Sequence, residues 1–298
     1  MKWQGRRQSS NVDDRRGQGG SGQGFGGFNA GLLMPLIKIL FSKVGLFIVG
    51  GFVVVSLIMG KNPLSLISQL LGGGIQSESS TPYQPSAEDE ELAQFSATIL
   101  ANTEDVWNKL LKNYREPTLV LFTGSVSSAC GSASSATGPF YCPGDEKLYI
   151  DLSFFDDMER QLNAPGDFAQ AYVIAHEVGH HIQKISGTTD KMNRLRGQIS
   201  QTEYNKYSVM LELQADFLAG VWAHHSQQMT QMMETGDLQE AMNAANAIGD
   251  DRLQKQSSGS VVPDSFTHGT SEQRMRWFKK GFETGDLSQG DTFSASSL

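Results

Sequence analysis

The feature that most constrains the fold is the stretch 173–183, VIAHEVGHHIQ, which places two histidines inside an apolar frame. Residues four apart in a helix project from one face, so His176 and His180 can bind one metal ion between them. Glu177 lies beside that face, within reach of a water on the metal. Imidazole suits zinc, and zinc brings the pKa of bound water close to neutral. The stretch therefore predicts a helix that carries the residues for metal-assisted hydrolysis.

The motif also has a simpler interpretation. HExxH fixes only three positions, and two histidines on one helix can be polar surface. The neighbouring residues argue against a surface helix, because Val173, Ile174 and Ala175 precede the first histidine and Ile182 follows the pair. A helix with such neighbours is expected to be buried. Buried imidazoles need partners, and a metal ion would satisfy both.

The third protein ligand must come from elsewhere, because Gln183 and Ser186 stand where the metzincin pattern requires Gly and His. A second apolar helix is predicted at 209–223, VMLELQADFLAGVWA. It carries only two acidic residues, Glu212 and Asp216, which are four apart and so share one face. Burying two carboxylates is costly unless they meet cations. A zinc site would explain the pair; a buried salt bridge or an acidic pair in the first half of the helix is the alternative.

The order of HExxH and then ExxxD on a later helix resembles the gluzincin pattern of thermolysin-like metallopeptidases. Motifs elsewhere in the chain reduce this broad class to one family. Features along nearly the whole chain resemble the bacterial neutral zinc metallopeptidase family. They are the start KWQGRRQSSNVDDRRG, one apolar span, and the later motifs CG…GPFYCPGDEKLYID, HEVGHH, ELQADFLAG and THGTSEQRMRWF. The resemblance implies a peptide or protein substrate and Zn²⁺ as the cofactor. It also implies the zinc ligands, which are His176, His180 and Glu212.

The same resemblance implies roles for the residues around the zinc. Glu177 would act as general base on the attacking water, and Asp216 would hold the nitrogen of His176 that faces away from the metal. The segment THGTSEQR resembles the short Thr-His motif that follows the ligand helix in some membrane metallopeptidases, and by that resemblance His268 would stabilise the oxyanion of a tetrahedral intermediate. The alternative is a loop histidine bonded to local backbone. Arg274, one helical turn further on, is a second candidate for the oxyanion, or it pairs with Asp216 or a neighbouring acid.

In gluzincin-like folds, a strand shortly before the HExxH helix pairs with an extended substrate. By that resemblance the predicted strand KLYIDL would bind a peptide along its edge, through Tyr149, Ile150, Asp151 and Leu152. Two other functions stay open at this point. One is a zinc-bound but non-catalytic module that is tethered to the membrane and docks on partners. The other is a zinc hydrolase that acts on a non-peptide amide; the intact Glu177 favours retained chemistry.

Residues 32–60 are predicted to cross the membrane once. Between Lys43 and Lys61 the chain has seventeen residues without a charge, and extension back to residue 32 gives the roughly 20 residues that a bilayer requires. A fully buried core helix is the alternative, but no amphipathic periodicity is visible and Gly-Gly is common in membrane spans. Residues 1–61 hold eight Lys or Arg and two acidic residues, whereas the rest of the chain holds 16 and 30. We therefore expect a single-pass protein of the bacterial inner membrane, with a cytoplasmic N-terminus and an exported domain.

The basic leader has a second possible partner, nucleic acid. Asp13 and Asp14 compensate part of its charge, which argues against that partner. The two cysteines agree with export, because Cys130 and Cys142 bracket a Ser-, Ala- and Gly-rich loop that a disulfide would pin, with about 3 kcal/mol of stabilisation. Free thiols or a metal site are the alternatives. Since C-x₁₁-C without a second pair is not a zinc-ribbon spacing, a disulfide is predicted.

Composition divides the chain into five predicted parts. They are a basic, Gly-rich cytoplasmic leader (1–31), a transmembrane anchor (32–60), a linker (61–87), a zinc metallopeptidase domain (88–285) and a flexible tail (286–298). Within the domain, periodicity and apolar runs predict two strands and six helices. The strands are 118–122 and 147–152, and the helices are 88–114, 153–162, 167–186, 202–233, 236–247 and 271–283. The expected fold class is α+β, a helix-dominated, zincin-like domain with a small antiparallel sheet, preceded by one transmembrane helix.

Overall fold

Helices account for most of the ordered backbone in the computed structural model, which describes residues 1–18 and 83–298. They are α1 (Ala87–Leu110), α2 (Ser153–Arg160), α3 (Asp167–Ile185), α4 (Thr188–Leu195), α5 (Gln201–Thr230), α6 (Asp237–Ala247), α7 (Asp250–Ser258) and α8 (Ser271–Thr284). The strands are β1 (Val12–Asp14), β2 (Thr118–Phe122), β3 (Ser125–Ser128), β4 (Gly131–Ser134), β5 (Phe140–Cys142) and β6 (Lys147–Asp151). The predicted helix-dominated α+β class is confirmed for these residues.

Helices α1, α5 and α8 begin at side-chain caps. Ser86 and Ser200 form capping boxes at the starts of α1 and α5, each with an acid three residues on. Thr270 does the same with Gln273 at the start of α8. Such caps satisfy backbone N–H groups that the first turn of a helix leaves without partners, and so they fix where each helix starts.

The main sheet is mixed, with strand order β1-β2-β6-β5. β1, β2 and β6 run parallel to one another, and β5 runs antiparallel to β6. The prediction of an antiparallel sheet is therefore wrong in strand direction. The reason lies in residues 123–146, which form the hairpin of β3 and β4 and then β5. This long connection returns the chain to the starting end of the sheet, so that β6 enters it in the direction of β2.

The first residues of the chain belong to this same unit. β1 pairs with β2 so that Val12 lies opposite Leu119. Trp3 is 8% exposed and meets Phe95 edge to face, with ring centroids 5.5 Å apart. For residues 1–18, the prediction of a leader outside the domain is wrong. A three-residue strand in a polar, Arg-rich stretch has no periodicity that would reveal its place in a sheet.

Small residues let the helices around the site approach one another closely. A Cβ at Gly179 of α3 would lie 3.0 Å from the carbonyl oxygen of Ala215 in α5. A Cβ at Gly220 of α5 or at Gly281 of α8 would overlap the backbone of the other helix. These contacts bring side chains of α3, α5 and α8 within hydrogen-bonding reach of each other.

The C-terminal residues pack on α5. Thr292 is fully buried and its hydroxyl donates to the carbonyl oxygen of Met210 at 2.6 Å. Phe293 stacks on Tyr207 with ring centroids 6.5 Å apart. The prediction of a flexible tail over 286–298 is wrong for Thr292 and Phe293, because both side chains pack on α5.

Cys130 and Cys142 form the predicted disulfide. The predicted anchor, 32–60, lies outside the described residues, as does most of the linker 61–87. Within 1–18 and 83–298, no helix combines the length and the hydropathy that a membrane span requires.

Candidate metal centre

Two imidazoles and one carboxylate meet where α3 packs against α5. Nε2 of His176 lies 3.2 Å from Oε2 of Glu212, and Nε2 of His180 lies 3.4 Å from Oε1 of the same carboxylate. The three potential ligand atoms all lie within 4.8 Å of one another. A tetrahedral ion with bonds of about 2.0–2.2 Å can join atoms at such spacings. The structure thus brings together the three residues that the sequence predicts as zinc ligands.

The other nitrogen of His176 is fixed by a buried acid. Its Nδ1 lies 2.8 Å from Oδ1 of Asp216, a side chain with no exposed surface. Because a carboxylate oxygen accepts, Nδ1 carries the proton and Nε2 is left free to bind a metal. Asp216 therefore lies where the predicted role requires it.

Asp216 is itself held by two further buried groups. The hydroxyl of Tyr172 donates to Oδ1 at 2.5 Å, and Arg274 donates through Nε to Oδ2 at 2.8 Å and through Nη2 to Oδ1 at 2.9 Å. Of the roles considered for Arg274, the structure supports pairing with Asp216. Tyr172 was not predicted. Its position four residues before His176 on the same helix face was the available signal.

A glutamine orients the second imidazole. Oε1 of Gln183 lies 2.9 Å from Nδ1 of His180, and Nε2 of Gln183 donates to the carbonyl oxygen of Leu211 at 2.6 Å. The second bond turns the amide oxygen toward the imidazole, so Nδ1 of His180 donates and Nε2 faces Glu212. In the sequence, Gln183 served only to exclude the metzincin pattern. Its spacing of three from His180 on an apolar helix could have revealed the contact.

Burial and charge oppose each other at the three ligands. Burial lowers the pKa of His176, but the carboxylates of Asp216 and Glu212 outweigh it and raise that pKa to about 9. Burial also lowers the pKa of His180, and Glu212 again outweighs it, so that this pKa is raised too. Burial favours a raised pKa for Glu212, yet the two imidazoles hold it well below its usual value. The carboxylates thus favour the protonated imidazoles when no metal is bound, so protons and a metal ion compete for the same nitrogens.

A cavity of about 440 Å³ opens onto these residues. Glu177, which is 8% exposed, lines the cavity together with both histidines. Apolar side chains form much of the remaining wall; they include Val173, Phe140, Phe154, Ile248 and Leu253. The residue predicted as the general base thus borders a space that can hold a peptide segment.

His268 lines the same cavity from the loop before α8. Asp250, the first residue of α7, organises that loop, because its Oδ2 accepts from the backbone N–H groups of Thr267, His268 and Gly269 at 2.7, 2.7 and 3.1 Å. Its Oδ1 lies 3.2 Å from Nδ1 of His268, and this hydrogen bond raises the pKa of His268. The second nitrogen, Nε2, makes no hydrogen bond to the described residues. Asp250 was not predicted, since its contact with His268 depends on how two separate elements pack.

Neighbouring strands cover part of the predicted substrate strand. β6 pairs with β2 on one side and with β5 on the other. Peptide binding along this edge is therefore wrong for Tyr149, which pairs with Phe140 of β5. β5 does not reach Ile150 and Asp151, so for these two residues and for Leu152 peptide binding stays a prediction, although all four side chains are buried. The strand that ends the sheet on this side is β5, and two of its residues, Phe140 and Tyr141, line the cavity.

A second group of acids, Asp167, Asp237 and Glu240, also lies close enough together to bind a metal. In the structure the α-amino group of Met1 lies beside them, 2.7 Å from Oδ2 of Asp167 and 3.6 Å from Oδ2 of Asp237. An ammonium group neutralises these acids as a metal ion would, so an ion pair accounts for the group. Since Asp167 is the first residue of α3, the contact ties the start of the chain to the helix that carries both histidines.

Comparison with known proteins agrees with this geometry. A family model described as "Putative neutral zinc metallopeptidase" matches residues 1–293. The chain belongs to the neutral zinc metallopeptidase family. The resemblance drawn from the motifs is thereby confirmed, and membership of the neutral zinc metallopeptidase family supports zinc as the metal and peptide hydrolysis as the class of reaction.

Relatives of this chain are found in Escherichia coli and in Mycobacterium tuberculosis. The uncharacterized protein YpfJ of Escherichia coli (strain K12) is 49% identical over 300 residues, which cover 99% of this chain and 100% of that protein. The uncharacterized protein Rv2575 of Mycobacterium tuberculosis (strain ATCC 25618 / H37Rv) is 40% identical over 223 residues, which cover 71% of this chain and 74% of that protein. No solved structure matches the chain with significance.

Proposed function

We propose that this protein is a zinc-dependent metallopeptidase that hydrolyses peptide bonds. The observation that supports this most is the meeting of His176, His180 and Glu212 within 4.8 Å, with both outer imidazole nitrogens already hydrogen-bonded. Two imidazoles and one carboxylate form the protein donor set of several catalytic zinc sites, which keep a fourth position open. These residues therefore fit zinc. When bound, zinc would supply Lewis acidity and lower the pKa of water.

The residues of the chain supply the proton transfers. Glu177 follows a ligand histidine directly and borders the cavity. Its carboxylate accepts a proton from the attacking water and then gives that proton to the departing amine. His268 donates a hydrogen bond from Nε2 to the oxygen that becomes negative in the tetrahedral intermediate. Asp250 keeps the imidazole of His268 in the orientation and protonation state that this requires.

The substrate class follows from the cavity and from the end of the sheet. An extended peptide pairs with β5, whose outer edge has no strand partner within the described residues. Backbone pairing of this kind gives affinity, and alternate side chains of the peptide enter the apolar cavity. The Cys130–Cys142 disulfide supports an oxidising compartment, so we place the activity outside the cytoplasm.

The decisive variant is Glu177→Gln, which removes the general base but no metal ligand. With zinc content unchanged, the rate of cleavage of denatured casein should fall by about 10²–10⁴-fold, because a positioned general base usually accelerates a reaction by that factor. Glu283→Gln is the matched control, since Glu283 is 60% exposed on α8 and its loss should leave the rate unchanged. A Glu177→Gln variant that holds zinc and cleaves as fast as the parent would remove Glu177 from the reaction.

Removal of the metal separates the peptidase from other zinc proteins. A chelator should abolish casein cleavage, and added zinc should restore it. The same preparations should be tried on a glycan-linked amide. Stoichiometric zinc without turnover of casein, or turnover of the non-peptide amide alone, contradicts the proposed peptidase activity.

A further inference from the structure

Residues 1–16 lie along the rest of the domain and bond to three of its parts. The backbone N–H of Ser9 donates to the carbonyl oxygen of Ala97 in α1 at 3.0 Å. The N–H of Leu119 in β2 donates to the carbonyl oxygen of Asn11 at 2.9 Å. The N–H of Lys2 donates to the carbonyl oxygen of Met232, just after α5, at 2.7 Å. The N–H of Arg15 donates to the carbonyl oxygen of Leu121 at 2.8 Å. Backbone bonds at both ends and in the middle thus make this segment an integral part of the fold.

A buried acid of the domain depends on the segment. Glu104 of α1 is 2% exposed. Its carboxylate accepts from Ser9 Oγ at 2.5 Å, from Asn11 Nδ2 at 2.9 Å and from Arg7 Nη1 at 3.0 Å. Burying a carboxylate is costly unless it is paired and hydrogen-bonded. The domain is therefore built to receive residues 7–11.

The basic residues of the segment form ion pairs and hydrogen bonds with the rest of the domain. Arg7 pairs with Asp105 at 2.8 Å, and Arg16 pairs with Glu90 at 3.0 Å. Arg6 donates to the carbonyl oxygen of Thr230 at 2.9 Å. Positive charge before an apolar stretch usually indicates a cytoplasmic segment. In this protein the arginines of the segment neutralise acids of α1, and that pairing accounts for them. Their charge is therefore no reason to assign the segment to the cytoplasm.

We infer that residues 1–18 and 83–298 occupy the same cellular compartment. β1 is a strand of the sheet that continues through β2, β6 and β5. Strands pair at about 4.8 Å, whereas the apolar core of a bilayer is about 30 Å thick, so β1 and β2 cannot pair across it. A cytoplasmic N-terminus combined with an exported domain, as the charge distribution alone suggests, would separate them. This inference does not rest on peptidase activity.

A matched pair of single-cysteine variants tests the inference in the full-length protein. Ser10 and Ser260 are both exposed, and neither side chain makes a hydrogen bond to the described residues. Ser10→Cys reports on the N-terminal segment, and Ser260→Cys reports on the domain. Serine and cysteine are close in size, so both variants should melt within a few degrees of the parent. The native cysteines are joined in the disulfide, and the parent chain controls for any labelling of them.

Each variant is expressed in bacteria whose outer membrane has been made permeable, and is treated with a membrane-impermeant maleimide before and after lysis. We expect both cysteines to be labelled to the same extent before lysis, whether that extent is high or low. Labelling of one before lysis and of the other only afterwards would overturn the inference. Lys2→Cys, also at an exposed position, is a second reporter should Ser10→Cys fold poorly; its label must again match that at position 260.

Discussion

Gln183 lies 2.9 Å from Nδ1 of His180 and so determines which imidazole nitrogen faces Glu212. On the other side of the site, Asp216 does the same for His176 at 2.8 Å. One imidazole is thus oriented by a neutral amide and the other by a charged carboxylate. A hydrogen-bonded partner on the far nitrogen fixes the tautomer of a metal-binding histidine and makes it a better ligand.

Gln183→Ala should weaken zinc binding by about 10–100-fold, because His180 then loses the partner that holds its orientation. Competition with a chelator of known affinity measures this change. Gln198→Ala, at an exposed position after α4, is the control and should bind zinc like the parent. Excess zinc should restore the activity of Gln183→Ala. Equal zinc affinity in the two variants would show that Gln183 has no part in the site.

Zinc affinity should fall as the pH decreases below about 9, the pKa of His176 in the metal-free protein. Zinc binds only the deprotonated imidazole, so a proton competes with it, and one such proton weakens binding about tenfold per pH unit. Zinc dissociation constants at pH 6.5, 7.5 and 8.5 test this. A constant affinity over that range would contradict it.

The free energy of unfolding of the metal-free protein should decrease as the pH rises, whereas zinc affinity should increase. The pKa of His176 is raised from 6.5 to about 9, so its folded state binds the proton more tightly than the unfolded chain does. Its contribution is fully present below about pH 6.5 and is lost as the pH rises through 9. Urea unfolding of the chelator-treated protein at pH 6.5 and 9.5 should show the decrease, which His176→Gln should reduce.

Gly179→Ala should weaken zinc binding, and Gly179→Val should weaken it further. The added methyl group would lie 3.0 Å from the carbonyl oxygen of Ala215, so α5 must shift away from α3. Overpacking of this kind costs about 1–3 kcal/mol. It also moves Glu212 away from the two imidazoles. Zinc titration of both variants measures the effect, and unchanged affinity in the valine variant would show that the helix spacing does not set the ligand geometry.

Arg274→Met should lower the free energy of unfolding by about 3–5 kcal/mol, because it leaves the buried carboxylate of Asp216 without its cation. Arg276→Met, two residues further on and exposed, is the control and should change little. Urea unfolding monitored by tryptophan fluorescence gives both values. The double variant Arg274→Met with Asp216→Asn should recover part of the loss, and failure to recover any would assign the loss to packing alone.

Trp3→Ala should destabilise the protein by about 3–5 kcal/mol, the usual result of deleting a large buried aromatic side chain. Trp3 is 8% exposed against Phe95, whereas Lys2 beside it is exposed. Lys2→Ala is therefore the control. Thermal or urea unfolding of the full-length chain measures both. Equal stability of the two variants would show that the N-terminal segment is not part of the cooperative fold.

The candidate ligands could be predicted because their geometry is mostly local. His176 and His180 are placed by one helical turn, and Glu212 and Asp216 by another. Only one tertiary contact, between α3 and α5, had to be assumed to bring the two pairs together. Gln183 contacts His180 three residues away, so attention to that spacing would have found it. Tyr172 lies four residues before His176 on the same face and meets Asp216 through the same contact between α3 and α5.

The strand order and the role of the first residues could not be predicted in this way. β1 lies more than one hundred residues from β2 in the sequence, and its three residues, VDD, read as polar loop. The direction of β6 depends on the path of the connection before it, and no residue of β6 specifies that path. The contact between Asp250 and His268 could not be predicted either, since it depends on how α7 and the loop before α8 pack together.

β1 covers the outer edge of β2, a strand in which Leu119 and Leu121 are almost completely buried. A shortened protein that starts near residue 83 would present that edge to solvent. Exposed strand edges with apolar side chains join to those of other molecules and form aggregates. Loss of activity in such a protein would then report self-association and would say nothing about the chemistry. Purification and enzymology should therefore use a chain that keeps its first sixteen residues.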